Sequence, residues 1–325
     1  MARASYAVGV DVGGTKVSAG LVERKGRVVA DTIVSTPAEG PFAIVDAVIE
    51  AVETVLRDTH PSEVAGAGLG LPAQIDWHRQ TIEFCTNLPL AGVDVHGMVQ
   101  TRLNIPVVID NDGEVAAIGE ARFGAAKGVR DFLMVTMGTG VGGGLWLGGR
   151  PYRGSRGFGG EIGHILVEFD GKQCPCGALG HLEAYASRFA LVRDAREAAA
   201  TYAGAAIRRL ADDDLDAITD DTLLAAARGG DDVARDILER AADVFGKAMV
   251  GVVNLLNPQL IVVGGGLGQK TPLWVDAANG AIQRSALAGR ADVLVVPAEL
   301  GNGAGVVGAA ALAFDEYDAR EEHRA

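Results

Sequence analysis

Cysteine is scarce, with 3 in 325 residues. Three thiols cannot build a disulfide framework, so a reducing, cytoplasmic location is expected. Cations are in deficit: 29 Lys+Arg stand against 42 Asp+Glu, a formal net charge of −13. That balance argues against binding along a nucleic-acid backbone, which needs clustered Lys and Arg. No apolar run reaches the roughly 18 residues of a membrane helix. Met1 to Tyr6 is too short and polar for a secretory signal. At 48% hydrophobic residues the chain can bury sizeable cores. What abounds is glycine, 45 residues and about twice the usual share, without a Gly-X-Y period.

The length predicts two domains at about 150 residues each. Tyr6–Val12 reads as a strand, followed by Gly13-Gly14-Thr15-Lys16. Val17–Val22 and Arg27–Val34 continue it as a hairpin-linked meander broken at Gly26. Apolar residues at 42, 44, 45, 48, 49, 52, 55 and 56 predict an amphipathic helix over Phe42–Leu56. Val64–Leu71, closed by Pro72, and Pro106–Asp110 read as buried strands, and Glu114–Arg122 as a helix.

A similar order recurs. Asp131–Met137 is a strand, a glycine turn follows at 138–144, and Leu145–Leu147 continues a second strand. Leu182–Ala200 and Asp232–Leu256 read as long helices, Leu260–Val263 and Ala291–Val296 as strands, and Ala304–Phe314 as the last helix. A strand and a Gly/Thr turn thus open each half, which suggests two related α/β domains with a cleft between them. The expected division is a small lobe over 1–112, with a helix near 304–325 returning to it, and a large lobe over 113–303. The acidic stretch Asp212–Asp221 reads as a solvated loop, and the charged tail from Asp315 as frayed.

The glycines are not spread evenly: 30 of 45 fall in the 73 residues of 9–20, 66–70, 138–180, 264–268 and 301–308. Asp11-Val-Gly-Gly-Thr-Lys16 lies between two strands, so it does not fit a dinucleotide fingerprint that opens a helix. It is either an ordinary tight turn or a hairpin whose N–H groups face a phosphate, with Asp11 near a water-held Mg²⁺. Met137-Gly138-Thr139-Gly140-Val141-Gly142-Gly143-Gly144 is a second candidate of the same kind. Gly264-Gly265-Gly266 and Gly301–Gly305 are plain turns or a flat platform for a nucleoside. Asp110-Asn111-Asp112 ends a strand and opens a helix. The stretch is either a helix N-cap, which Asp or Asn satisfies well, or it provides Asp112 as a base that takes a hydroxyl proton during phosphoryl transfer, kept anionic by the helix N-terminus. Asn111 would hold neighbouring hydroxyls. His164, Cys174, Cys176 and His181 have the character of tetrahedral Zn²⁺ ligands in a glycine-rich loop. Surface thiols beside unrelated histidines are the alternative. Cys85 reads as a small core residue.

In this order the motifs resemble the ROK family of repressors and sugar kinases, within the actin-like ATPase superfamily. The resemblance runs from Val8 to Phe314. It rests on Asp11-x-Gly-Gly-Thr-Lys16, Gly70-Leu-Pro72, Asn87-Leu-Pro89, Asn111-Asp112, Met137–Gly143, Glu161-x-Gly-His164, Cys174-x-Cys176-Gly, Asn257-Pro258, Ile261–Gly265 and Ala304-Gly305. It implies a two-domain, ribonuclease H-like α/β fold with a nucleotide and sugar cleft. By the same resemblance Asp112 is the catalytic base, and Asn111, Asp112, Glu161, His164 and Glu183 hold the sugar. The phosphate turns are Asp11, Gly13, Gly14, Thr15, Lys16 and Gly138, Thr139, Gly140, Gly142, with Gly265 and Gly266 near the nucleoside. Zinc would be structural, with His164 binding it through one nitrogen and facing the sugar with the other.

Departures from the family pattern are His181 in place of a usual third Cys, and Gly113-Glu114 where Ala-Asn is usual. Ala73 also replaces a Gly, and Ala91-Gly92-Val93 stand where a Trp is often found. The implied activity is ATP- and Mg²⁺-dependent phosphorylation of a hexose at its 6-hydroxyl, glucose first. Fructose, mannose or N-acetylmannosamine are the alternatives, and a sugar-responsive regulator without its DNA-binding domain is the other class. A homodimer, or a tetramer, is expected.

Overall fold

The computed structural model describes residues 4–85, 87–287 and 292–324, the Arg324 side chain excepted. The chain divides into two compact units. The first holds Met1–Met134, Gly143–Glu161 and Ala298–Ala325, and the second Val135–Gly142 and Ile162–Pro297.

The first unit is built on a five-stranded sheet in the order Val28–Ser35, Lys16–Glu23, Tyr6–Val12, Val64–Leu71, Val107–Asn111. The first three strands are antiparallel, and the last two run parallel to Tyr6–Val12. The register sets Asp11 beside Gly70, and Gly70 beside Asp110. Two carboxylates therefore flank Gly70 from the strands on either side of Val64–Leu71, near the carboxyl ends at which open α/β sheets bind ligands.

Val64–Leu71 is buried throughout, as a short apolar run closed by proline predicts. The helix Pro41–Leu56 buries Ile44, Val45, Val48, Ile49, Val52 and Val55 in the core of this unit. The helix Ala304–Arg324 packs directly on the strands. A Cβ at Gly9 would overlap the carbonyl of Val306, and one at Gly68 that of Ala309. Its reach to Arg324 exceeds the expected end at Phe314. The charged tail is held by ion pairs of Asp315 with Arg122 and of Asp318 with Arg24, so the frayed reading fails there; Ala325 lies outside the described residues.

The hairpin Gln74–Asp76 with Thr81–Phe84, and the helix Val95–Leu103, go beyond the sequence reading. The strands are too short for a period, and the helix buries only Val95 and Val99. Both elements cover the outer edge of Val107–Asn111. Gln80 Oε1 accepts the Ile109 N–H at 2.7 Å, and Gln100 Oε1 accepts the Val107 N–H at 3.2 Å.

The second sheet has the order Arg150–Pro151, Val141–Leu147, Phe132–Met137, Leu260–Gly264, Leu294–Pro297. In chain order this is again third, second, first, fourth, fifth, so the suspected internal repeat is present in the sheet topology. Ala291, the expected first residue of the last strand, lies outside the described residues. In the second unit Asp232–Leu256 forms as predicted, capped by the Asp231 side chain and ended by Asn257 in the left-handed region. It packs on Leu273–Ser285, where Phe245 meets Trp274 edge-on at 6.0 Å. The expected helix Leu182–Ala200 is broken at Ser187. That residue is extended, at φ −103° and ψ 166°, and caps a second helix, Arg188–Ala199, leaving only Glu183–Ala186 before it.

Candidate functional site

In the first unit the strand Val107–Asn111 runs straight into the helix Asp112–Phe123. The cap is Asn111. Its Oδ1 accepts the N–H groups of Gly113 at 2.8 Å and Glu114 at 3.3 Å, and its Nδ2 donates to the Ala73 carbonyl at 3.1 Å. Asp112 is thereby freed of the capping role, and its Oδ1 accepts the Gly113 N–H at 2.8 Å. Burial first, then the negative charges of Asp11 and Glu161, push the Asp112 carboxyl up to about 7. The expectation that the helix N-terminus keeps it anionic is thus corrected. Desolvation and two like charges outweigh the dipole.

Asp11 is itself raised by burial, with Lys16 pulling it down. The turn after it is closed by the Gly13 N–H to the Lys16 carbonyl at 2.8 Å, and Thr36 Oγ1 donates to the Gly13 carbonyl at 2.7 Å. Gly14, Thr15 and Lys16 are exposed, and nothing occupies the space a Cβ on Gly14 would fill. The turn presents open backbone, as a phosphate hairpin requires.

In the second unit the glycine turn is Gly138-Thr139-Gly140, closed by the Gly138 N–H to the Gly140 carbonyl at 2.9 Å. Gly142 lies one step on, inside the strand Val141–Leu147. The helix Arg188–Ala199 abuts the turn, with the N–H groups of Arg188 and Phe189 donating to the carbonyls of Gly138 and Thr139 at 3.0 and 3.3 Å. Glu183 Oε2 accepts the Val141 N–H at 2.8 Å, and the missing side chain of Gly140 makes room for that carboxylate. Gly265, at φ +81° and packed on the Met137 carbonyl, opens a single helical turn with Gly266.

His164, Cys174, Cys176 and His181 converge, with one ligand atom from each lying within 4.8 Å of all the others. Cys174 Sγ is 3.8 Å from His164 Nδ1. The knuckle is shaped locally: the Cys174 N–H bonds the Ala178 carbonyl at 2.8 Å, and Gly177 takes φ +95°. Burial pushes the Cys174 thiol up to about 12 and holds His181 below the usual imidazole range, with His164 adding to the latter. Two thiols and two imidazoles at this spacing suit a tetrahedral, thiophilic divalent ion. All three cysteines are free. Cys85 packs against the first unit's core and donates to the Pro72 carbonyl at 3.2 Å.

A family profile described as the ROK family matches residues 7–316. The chain belongs to the ROK family. This ROK chain is 39% identical over 310 residues to a glucokinase of Streptomyces coelicolor, covering 94% of this chain and 96% of that one. Its structure is similar to that of a Streptomyces griseus ROK glucokinase solved with glucose and AMPPNP, at TM-score 0.85, 37% identity and 94% and 98% coverage. A ROK hexokinase of Thermus thermophilus matches at TM-score 0.79 and 32% identity, covering 97% and 99%. The fold is the two-domain α/β fold of ROK glucokinases.

Two buried ionic clusters of this ROK chain lay beyond the sequence reading. Arg153 donates from Nε and Nη2 to Oδ2 of Asp110 at 2.8 and 2.6 Å. Glu114, a departure from the family pattern, is buried nearby. Its Oε1 accepts the Leu145 N–H at 3.3 Å, and burial together with Asp110 drives its carboxyl well up. In the second unit Asp220 is buried and takes Lys270 at 2.7 Å and Arg188 at 3.2 Å. Burial alone would raise Asp220, but the two cations hold it low. The solvated-loop reading of the acidic stretch is therefore wrong at Asp220. The partners lie 32 and 50 residues away, and no local pattern marks them. Among the described residues no helix is long and apolar enough to cross a membrane.

Proposed function

We propose that this ROK chain transfers the γ-phosphoryl group of ATP to the 6-hydroxyl of glucose. The observation that carries the reading is the match, over nearly the whole of both chains, to a glucokinase at 39% identity.

Asp112 is the proposed base. With its cap duty taken by Asn111 and its affinity for a proton raised to about 7, it can accept the hydroxyl proton near neutral pH as the new O–P bond forms and the bond to ADP breaks. Asn111, Glu161, His164 and Glu183 are the proposed contacts to sugar hydroxyls. The turns Gly13 to Lys16 and Gly138 to Gly142 are the proposed phosphate sites, through backbone N–H groups other than those of Gly13, Gly138 and Val141, which are already bonded, with Gly265 and Gly266 toward the nucleoside. Such backbone donors reconcile an anionic substrate with a net charge of −13. Mg²⁺ bound with ATP would neutralise charge on the phosphates, and Asp11 is the proposed holder of its water. Zn²⁺ on His164, Cys174, Cys176 and His181 would fix the loop that begins at His164 and leads into the helix of Glu183. A homodimer in the cytoplasm completes the proposal, and light scattering at twice the chain mass tests the assembly.

A coupled ADP-release assay across glucose, fructose, mannose and N-acetylmannosamine tests the activity. Glucose is expected to give the highest kcat/KM; no turnover with any hexose overturns the reading.

A further inference from the structure

Asp110 is 2% exposed and splits its carboxylate between two tasks. Oδ1 accepts the backbone N–H of Asn111 at 2.9 Å, while Oδ2 takes both bonds from Arg153. One carboxylate thus joins Arg153 to the backbone of the Asn111-Asp112 pair. The Arg153 guanidinium also lies over the Trp77 ring, 3.7 Å from its centroid. The chain after Arg153 is drawn tight. The Gly159 N–H returns to the Arg153 carbonyl at 2.9 Å, and Gly157, at φ +97°, sits so close to Ile75 that a Cβ would overlap its carbonyl. Gly160, at φ +89°, rests on Gly143 and Glu114, and the next residue is Glu161.

Glu114 adds a second buried acid, its Oε2 without a hydrogen-bond partner, whose charged form is favoured by Arg153 alone of the groups acting strongly on it apart from one backbone N–H. Arginine suits this place because its planar fork can hold a carboxylate and stack on an indole at once. An ammonium can supply the charge without the plane.

We propose that Arg153 is a positioning residue for the sugar contacts, setting Glu161 against Asn111 and Asp112 through Asp110, Trp77 and the folded segment 153–160. The inference rests on the proposed sugar role of those three side chains. Arg153 acts through them and does not itself touch the sugar.

The test compares the full-length wild type with Arg153→Met, Arg153→Lys and Trp77→Leu, measuring kcat, KM for glucose, KM for ATP and Tm. Misplacement by about 1 Å can cost ~10²-fold, so Arg153→Met is expected to lower kcat/KM for glucose by about that factor, with KM for ATP unchanged. Arg153→Lys and Trp77→Leu should fall between it and the wild type, with the same selectivity for the sugar. If Arg153→Met does not fold, those two variants carry the test. Variants that lose only Tm, or that raise KM for both substrates equally, overturn the inference while leaving the kinase reading intact. A wild type that turns over no hexose overturns both.

Discussion

Cys176 Sγ lies 3.2 Å from Nδ1 of His181, so the residue that stands where the family resemblance implies a third cysteine has a ring nitrogen among the proposed metal donors. Imidazole is a competent zinc donor. Metal analysis of the purified chain is expected to find about one Zn²⁺ per chain, as four such donors imply. His181→Cys should keep the metal, and His181→Ala or Cys176→Ser should lose it along with Tm. Metal-free protein with full activity would refute a required zinc site.

Asp112 gives opposite signs for activity and stability. A base must be deprotonated to act, so kcat/KM should fall as pH drops through about 7. The folded-state value lies above the unfolded one, so the native state binds the extra proton between about pH 4 and 7. Its contribution to stability is therefore favourable at low pH and is lost as pH rises through that window. Asp112→Asn is expected to cut turnover at least ~10²-fold and, at neutral pH, to raise Tm. Near-wild-type turnover in this variant would remove Asp112 from the mechanism.

Gly14 and Gly138 have open space where a Cβ would stand. Alanine at either place should leave Tm within error of the wild type. If phosphates approach these turns, the same methyl group meets the ligand instead, and KM for ATP rises while KM for glucose holds. Unchanged KM for ATP in both variants would count against the phosphate assignment.

Gly9 and Gly68 behave differently, because the backbone of Ala304–Arg324 already fills that space. Overpacking typically costs about 1–3 kcal/mol. Each kcal/mol lowers Tm by roughly 2–4 °C in a domain of about this size. Thermal unfolding of Gly9→Ala and Gly68→Ala measures it; wild-type Tm in both would mean that the helix does not lie directly on these strands.

Much of the architecture was legible along the chain. Asp232–Leu256 is 25 residues of continuous helical pattern between two capping residues, and it forms as read. Val64–Leu71 and its closing proline behave the same way. The break at Ser187 was hidden, because an alanine-rich run favours helix on both sides and one capping serine decides the matter. The short hairpin at Gln74–Phe84 had too few residues for alternation to register.

By itself the sequence determined the order of the elements, the repeat of a strand and a glycine turn in each half, and the singling out of His164, Cys174, Cys176 and His181 as candidate metal donors. These depend on period, turn chemistry and donor type, all of which are local. Only the tertiary structure decided which side chain caps the helix and which is released from that role at Asn111-Asp112, that Asp220 is buried and paired, and that Arg153 reaches Asp110 from 43 residues away. Those outcomes turn on desolvation and on charges brought together by folding, and neither quantity exists until the chain has closed around them.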